Sequence, residues 1–569
     1  MSNYQNLPEL FFSKAKENLN NQHLLKINNS TNEIDSWTWS NTYSSVNKIY
    51  QFINSQNLKK DERILLVSEN RPEWMAADIA IMSNQLIAVP NYITYTSRDF
   101  EHILNDSKPK GLIVSNKDLL ETVLIASKKI NFELQFIICF DQFENTNIPN
   151  LTFYEDLIED PSVKPDKYHS IQRKDPASII YTSGTQGLPK GVILSHGGIL
   201  SNCEGAYELL QTLKSPDLTF LTWLPLSHSY EHVVQFVTLM MEAKVFYNKS
   251  IETLLPTIKV AKPHIMTAVP RFYNNLFAKM QINLKNQSQF KQNLFNSAIS
   301  LGTKKLHQQK LSLKEKILDF LLDKLVRKKV KNNFGGRLEA FVSGGGPLDS
   351  RVGEALNALG LKTLQGYGLT ETSPVVSCNP VDNIKIDTVG TIFSNNKVKI
   401  ADDGEILVKG ENVMLGYWNN NNATNEVIKN GWLHTGDIGQ IDNDGYLKIT
   451  DRKKDIIVSV GGDNISPSKI ENLLCLNNEI DQAYVDGDNE KFLVCLLVLN
   501  KNFVRDDKKL KEIIEETNKE LMQIEKIKKF DVVEEEFTID NELLTPTMKI
   551  RRHKIKLKYK NILENFYKN

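Results

Sequence analysis

Short apolar runs alternate with helix-length stretches through the first 180 residues, a pattern a chain satisfies by laying parallel strands in a sheet and covering it with helices. RILLVS (63–68) reads as a strand buried on both faces. PEWMAADIAIMSNQ follows as a helix opened by Pro72, whose missing N–H costs nothing in the first turn. GLIVS (111–115), LLETVLIASKK (119–129) and FIICF (136–140) repeat strand, helix and strand. At 569 residues the chain exceeds what one hydrophobic core holds, so roughly two to four packing units are expected.

The texture changes twice further along. Residues 275–335 are rich in Lys, Asn, Gln and Leu, with Leu313, Ile317, Leu321 and Leu325 at helical spacing. From Lys279 to Lys331 there are thirteen Lys or Arg against three acidic residues. Two readings fit: a solvated helical layer docked on the body, or a basic amphipathic face resting on anionic lipid as a peripheral membrane contact. After Gly390, DDGEILVKG and NDGYLKITD alternate in period two around Asp-Gly turns, which predicts hairpins of a smaller β unit. A mixed α/β tail follows Arg452, so the expected domains are 1–452 and 453–569.

Lys plus Arg equals Asp plus Glu at 69 each, and this zero balance argues against a nucleic-acid binder working through bulk electrostatics. Five dispersed cysteines with no C-x-x-C spacing support neither a disulfide framework nor a cysteine zinc site. The N-terminus lacks the features of a signal peptide and no long apolar span occurs, so a cytoplasmic protein is expected, with a peripheral place on the inner membrane face as the alternative. A monomer and a homodimer are both compatible with the sequence.

YTSGTQGLPKG (181–191) has the glycines, hydroxyls and lysine of a phosphate loop but not the Walker order: Gly191 stands where Ser or Thr should follow Lys190. Apolar SII (178–180) and VIL (192–194) flank it, so it joins two strands rather than a strand and a helix. Its glycines let backbone N–H groups converge on an anion, although such a loop alone serves structure as readily as phosphate. FVSGGGPL (341–348) puts a glycine triplet at a strand end. QGYGLTETSP (365–374) gathers an aromatic, hydroxyls and a carboxylate, and GWLHTGDIG (431–439) sets Asp437 in a tight turn.

Together, in this order and from NRPEW at Asn70 to LTPTMKIRRHKI at Leu544, these segments resemble the adenylate-forming superfamily. TDRKKDIIVSVGGDNISPSKIE and LTPTMKIRR are most similar to the long-chain fatty-acid–CoA ligases. The resemblance implies an α/β fold: a large N-terminal domain of parallel α/β sheets plus a distorted β-barrel, and a small mobile α+β C-terminal domain. It implies fatty acid, ATP and coenzyme A as substrates, with Mg²⁺ accompanying ATP. Activation of other carboxylates, or transfer to an acyl-carrier protein, is the neighbouring reading.

Residue by residue, the resemblance assigns Thr182, Ser183, Gly184, Thr185 and Lys190 to the triphosphate. It sets Tyr367 against adenine, with Gly344, Gly345, Gln365, Gly366 and Gly368 around it. Thr370 falls on the α-phosphate, Glu371 and Thr182 on the metal, and Asp437 and Arg452 on the ribose. Lys549 reaches the carboxylate and α-phosphate from the C-terminal domain, although Met548 stands where the family often has Gly. Lys454 falls at the hinge and Gly461 and Gly462 on the CoA path. His228, at the reacting carboxylate, opens an acyl tunnel that continues past Gln235, Val269 and Phe272.

HSYEH (228–232) also matches the H-x-x-E-H pattern of a zinc metallohydrolase through His228, Glu231 and His232. LPLS before it reads as a strand end and turn, placing the helix start near Glu231 and His228 off the face of His232. Trp74 is expected to pack the N-terminal domain rather than a ligand.

Overall fold

The computed structural model describes residues 4–28, 33–144, 147–182, 189–460, 464–545 and 549–568. Its N-terminal part carries two large sheets. One has eight strands in the order 416–417, 190–195, 176–182, 87–91, 63–67, 111–114, 136–139 and 151–153. Its strands from Pro176–Thr182 through Leu151–Phe153 are parallel, as the strand–helix alternation requires. The second sheet has nine strands, and a parallel centre running from Thr363–Gly368 through Ala340–Ser343, Ile265–Ala268 and Thr219–Thr222 to Lys244–Tyr247. The C-terminal ends of these central strands face the site described below.

The helix Pro72–Ser83 has all twelve residues buried, Trp74 included. Its buried Glu73 needs a partner. Arg71, the residue before the helix, donates from Nε to Glu73 at 2.9 Å and from Nη1 to Asp141 at 2.8 Å. Glu73 is pulled down to about 2: burial opposes its ionisation, and the bonds and charge of Arg71 together with Lys26 outweigh burial. Arg71→Ala is expected to destabilise the fold by about 3 kcal/mol, because Glu73 then stays buried without its main partner. A lowered melting temperature, largely restored in the Arg71→Ala/Glu73→Leu double variant, would establish the coupling.

After Gly390 the expected hairpins form. Asn396–Ile400 pairs with Glu405–Gly410, and Trp432–Ile441 with Leu447–Arg452, within a five-stranded antiparallel sheet. The C-terminal part is α+β: strands Ile480–Asp486, Leu493–Leu499 and Ile527–Val532 form a three-stranded sheet packed with helices such as Asp507–Lys519. Arg351 spans the two parts, donating to both carboxylate oxygens of Glu520 at 2.9 Å.

The basic stretch is helical, over Pro270–Lys285, Gln289–Leu306 and Leu313–Leu322, then a π turn Asp323–Arg327 and Lys328–Asn332. It docks through Ala298, Leu301, Leu322, Val326 and Val330. The apolar stripe Leu313, Ile317, Leu321 and Leu325 lies in solvent, at 80, 66, 47 and 46% exposure. Periodicity marks a face; what covers that face is decided by the neighbouring helices. Among the described residues no helix is long and apolar enough to cross a membrane.

Candidate active site

The strand Pro176–Thr182 turns back antiparallel into Lys190–Ser195, with Thr182 opposite Lys190. Ser183, Gly184 and Thr185 lie outside the described residues, but the exit of their loop is firmly held. His102 Nε2 donates to the Pro189 carbonyl at 2.8 Å, and the Trp418 N–H donates to the Gly191 carbonyl at 2.7 Å. A Cβ on Gly191 would sit 2.8 Å from the Ile179 side chain, so a larger residue there would force its neighbours to shift. The Lys190 ammonium rests 5.1 Å from the centre of the Tyr417 ring.

Tyr417 links this loop to the carboxylate expected to ligate metal. Its hydroxyl donates to Glu371 Oε1 at 2.8 Å. Oε2 has no hydrogen-bond partner among the described residues. Glu371 lies in the short turn Thr370–Thr372, which Asn202 and Asn412 pin by donating to the Thr372 carbonyl at 3.1 and 3.2 Å. Thr370 Oγ1 is 3.0 Å from Ser229 Oγ at the start of the helix Ser229–Met241.

Asp437 is almost fully buried, and both its oxygens are held: Oδ2 by the Tyr367 hydroxyl at 2.7 Å and Oδ1 by Arg452 Nε at 3.1 Å. Asp437 and Arg452 are opposite one another in the hairpin that carries them. Close backbone packing surrounds Tyr367. A Cβ on Gly368 would lie 1.7 Å from the Pro374 carbonyl oxygen, and one on Gly366 3.3 Å from that of Ser377. Gln365 commits its amide to the Ile386 carbonyl. Gly344 faces the Tyr230 ring, where a Cβ would come within 3.1 Å, and Gly345 adopts φ +83°, which favours glycine.

Lys549 belongs to the C-terminal part and is tied to Thr545 by two bonds: the Thr545 N–H donates to the Lys549 carbonyl at 2.8 Å, and the Lys549 N–H donates to Thr545 Oγ1 at 3.1 Å. The residue is exposed to solvent, while the protein atoms around its ammonium disfavour the charged form. Burial and the Arg452 charge lower it below its ordinary 10.5, against the pull of Asp437, Glu371 and Asp455. The same ammonium acts on His228, which burial and that charge lower to about 4, so the imidazole is neutral at pH 7. Lys549, Arg452, Asp437, Glu371 and His228 thus share one electrostatic neighbourhood.

The HSYEH pattern resolves differently from a metal pair. The helix starts at Ser229, two residues before the expected position, because His228 caps it: Nδ1 accepts from the Tyr230 N–H at 3.1 Å. His232 is fully buried with Nε2 2.7 Å from Asp78 Oδ2, and Glu231 accepts from Thr267 Oγ1 at 2.7 Å. Three side chains committed to three separate partners do not converge on a common ion.

Of the expected acyl-tunnel residues, Phe272 stacks obliquely on Trp223, with ring centres 5.6 Å apart, and Val269 lies 3.7 Å from a Cβ built on Gly345. Gln235 is bound inside the core, donating to Thr222 Oγ1 at 3.1 Å and accepting from the Tyr247 hydroxyl at 2.8 Å. Lys454 is exposed in the turn just after the strand Leu447–Arg452. Gly461 and Gly462 lie outside the described residues. Tyr417, Ser229 and His102 were not legible as site residues. The only sequence signal for Tyr417 is the aromatic pair after Gly416, with no spacing that ties it to Glu371.

Residues 11–418 match the AMP-binding enzyme family, and residues 454–569 match the AMP-binding enzyme C-terminal domain. The long-chain-fatty-acid–CoA ligase FadD15 of Mycobacterium bovis is 31% identical, over 90% of this chain and 89% of that protein. Long-chain-fatty-acid–CoA ligase 1 of Homo sapiens is 28% identical over 92% and 82%. The crystal structure of the anthranilate CoA ligase AuaEII in complex with anthranoyl-AMP shares the fold with a TM-score of 0.78 at 20% identity, over 99% of both chains. The order of the motifs, the convergence of their side chains and the length of the match lead to one assignment: the chain belongs to the family of AMP-binding enzymes.

Proposed function

We propose that this protein activates a long-chain fatty acid with ATP and transfers the acyl group to coenzyme A. The observation that supports it most strongly is the placement of Lys549 among Arg452, Asp437, Glu371 and His228, which brings a cation to a site built for anions. Relatives named long-chain-fatty-acid–CoA ligases match along most of the chain and favour CoA over a carrier protein as acceptor. In the first step a carboxylate oxygen attacks the α-phosphorus, and the bond to the bridging oxygen breaks as pyrophosphate leaves. In the second the CoA sulfur attacks the acyl carbon, the thiol proton passes to solvent, and AMP leaves with the electron pair of the C–O bond.

Lys549 and Lys190 reduce the repulsion between the carboxylate and the triphosphate and stabilise charge in the first transition state. Asp437 and Arg452 hold the ribose, and Tyr367 fixes Asp437 while presenting its ring to adenine. Neutral His228 lets the fatty carboxylate approach without competing for its charge. We place the domain boundary at 452/453, with Lys454 as the hinge and Gly461 and Gly462 on the CoA path after rotation. The five free cysteines suit a reducing compartment that supplies ATP and CoA, such as the cytoplasm.

The donor set suits Mg²⁺: Glu371 offers one unbonded carboxylate oxygen, and Thr182 offers a hydroxyl on the strand entering the loop. When bound, Mg²⁺ would neutralise charge on the phosphate oxygens. Because Tyr417 orients Glu371, Tyr417→Phe is expected to raise the Mg²⁺ concentration for half-maximal exchange by about threefold to tenfold. An unchanged Mg²⁺ titration would remove Tyr417 from that role. The reading as a whole is tested by ATP–pyrophosphate exchange across fatty acids of increasing length, followed by CoA-dependent AMP release. Absence of exchange with every carboxylate would overturn it.

A further inference from the structure

We propose that the helix Leu313–Leu322 docks the protein on an anionic lipid surface, with Leu313, Ile317, Phe320 and Leu321 entering the acyl boundary and lysines around them meeting the headgroups. At 3.6 residues per turn these four side chains share one arc of the helix, about 100° wide. They are 80, 66, 61 and 47% exposed, so the arc points away from the body. The opposite side carries Leu322, which is fully buried, together with Glu315 and Asp319. The helix is therefore amphipathic toward solvent, the reverse of a core-facing helix.

The charges sort in the same way. Glu315 pairs with Lys304 at 2.6 Å, and Asp319 with Lys305 at 2.8 Å and Arg327 at 2.6 Å, so both acids are neutralised on the inner side. Lys314 and Lys316 flank the apolar arc, one on each edge. With Lys310, Lys324, Lys328 and Lys329 they are exposed and have no ion-pair partner among the described residues. Lys324 lies over the Phe320 ring at 4.7 Å, a contact that keeps an ammonium beside the apolar arc. An unpartnered apolar stripe collared by unpaired lysines is complementary to an acyl layer under anionic headgroups. A second copy of the same face would set lysine against lysine.

The inner side of this helix belongs to the same core as Phe272, which the ligase reading places on the acyl wall. Docking would thus bring the acyl side of the site within one helical layer of the bilayer, where long-chain acids partition. The docking itself does not depend on that reading, and the two fail separately: exchange activity tests one, lipid binding the other.

Flotation of the full-length protein with phosphatidylcholine vesicles, alone or with about one third phosphatidylglycerol, tests the proposal. Binding to the anionic vesicles is expected, weakening as salt rises. The variant Leu313→Gln/Ile317→Gln/Phe320→Gln/Leu321→Gln should lose at least about a hundredfold in partitioning, and Lys314→Glu/Lys316→Glu about tenfold. Both sets are exposed, so an unchanged melting temperature and unchanged exchange with a short soluble acid would exclude misfolding. Unaltered flotation of the variants, or equal binding to neutral vesicles, would overturn the proposal. So would absence of lipid binding together with a dimer, seen by light scattering, that the glutamine variant dissolves, for then a second copy covers the face.

Discussion

Lys549→Ala is expected to lower ATP–pyrophosphate exchange by about 10²–10³-fold while leaving the transfer of a presynthesised acyl-adenylate to CoA within a few fold of wild type. The separation follows from where the side chain sits. Its ammonium belongs to the C-terminal part but shares the neighbourhood of Asp437, Arg452 and Glu371, so in the proposed mechanism it would act on the first transition state, in which two anions meet. The second step joins a thiol to a mixed anhydride and has no such repulsion to overcome. An equal loss in both half-reactions would show that Lys549 supports the fold of the site instead. The pH profile offers an independent check. Burial and Arg452 lower the Lys549 pKa from 10.5, so the charged form is lost at a lower pH than for a free lysine. Exchange should therefore fall on the alkaline side before pH 10.5, and this limb should be missing from the residual activity of Lys549→Ala.

Glu371→Gln is expected to reduce exchange by about 10²–10³-fold at low Mg²⁺, with partial recovery as Mg²⁺ rises. The substitution keeps the shape of the side chain and an oxygen to accept from the Tyr417 hydroxyl, which donates to Oε1 at 2.8 Å in the native chain. Loss of activity would thus report loss of charge, not collapse of the turn, which Asn202 and Asn412 hold through the Thr372 carbonyl. A defect that Mg²⁺ does not relieve, with normal thermal stability, would show that Glu371 acts on the nucleotide without metal. The contrast with Tyr417→Phe matters here: removing the orienting hydroxyl should shift the Mg²⁺ titration, whereas removing the charge should lower the rate itself.

Much of the scaffold was legible because it depends on local pattern. Apolar triplets on either side of residues 181–191 placed the loop between strands, and those strands pair with Thr182 opposite Lys190. Asp-Gly turns located the two hairpins, one of which sets Asp437 against Arg452. The helix after Pro72 was readable from its opening proline and its apolar-rich run, although its complete burial and the pairing of Arg71 with Asp141, seventy residues away, were not.

Local pattern failed wherever the deciding partner came from another element. Tyr417 reaches Glu371 across 46 positions and from a strand of the other large sheet, a contact no spacing encodes. His228 became a helix cap and His232 the partner of Asp78, although the two share one five-residue motif. The stripe from Leu313 to Leu325 was visible as a face, yet which side of the helix meets the core depended on where Leu322, Val326 and Val330 found apolar neighbours.

The sequence by itself determined the order of strands and helices, the residue types available at the site and the family, because periodicity, turn chemistry and ordered motifs are properties of neighbouring residues. The tertiary structure alone decided which charges lie together, which histidine caps a helix and which meets Asp78, and which apolar face is left to solvent. Those outcomes follow from burial and from distances between segments far apart in the chain, and both exist only once the sheets have formed and the C-terminal part has brought Lys549 to them.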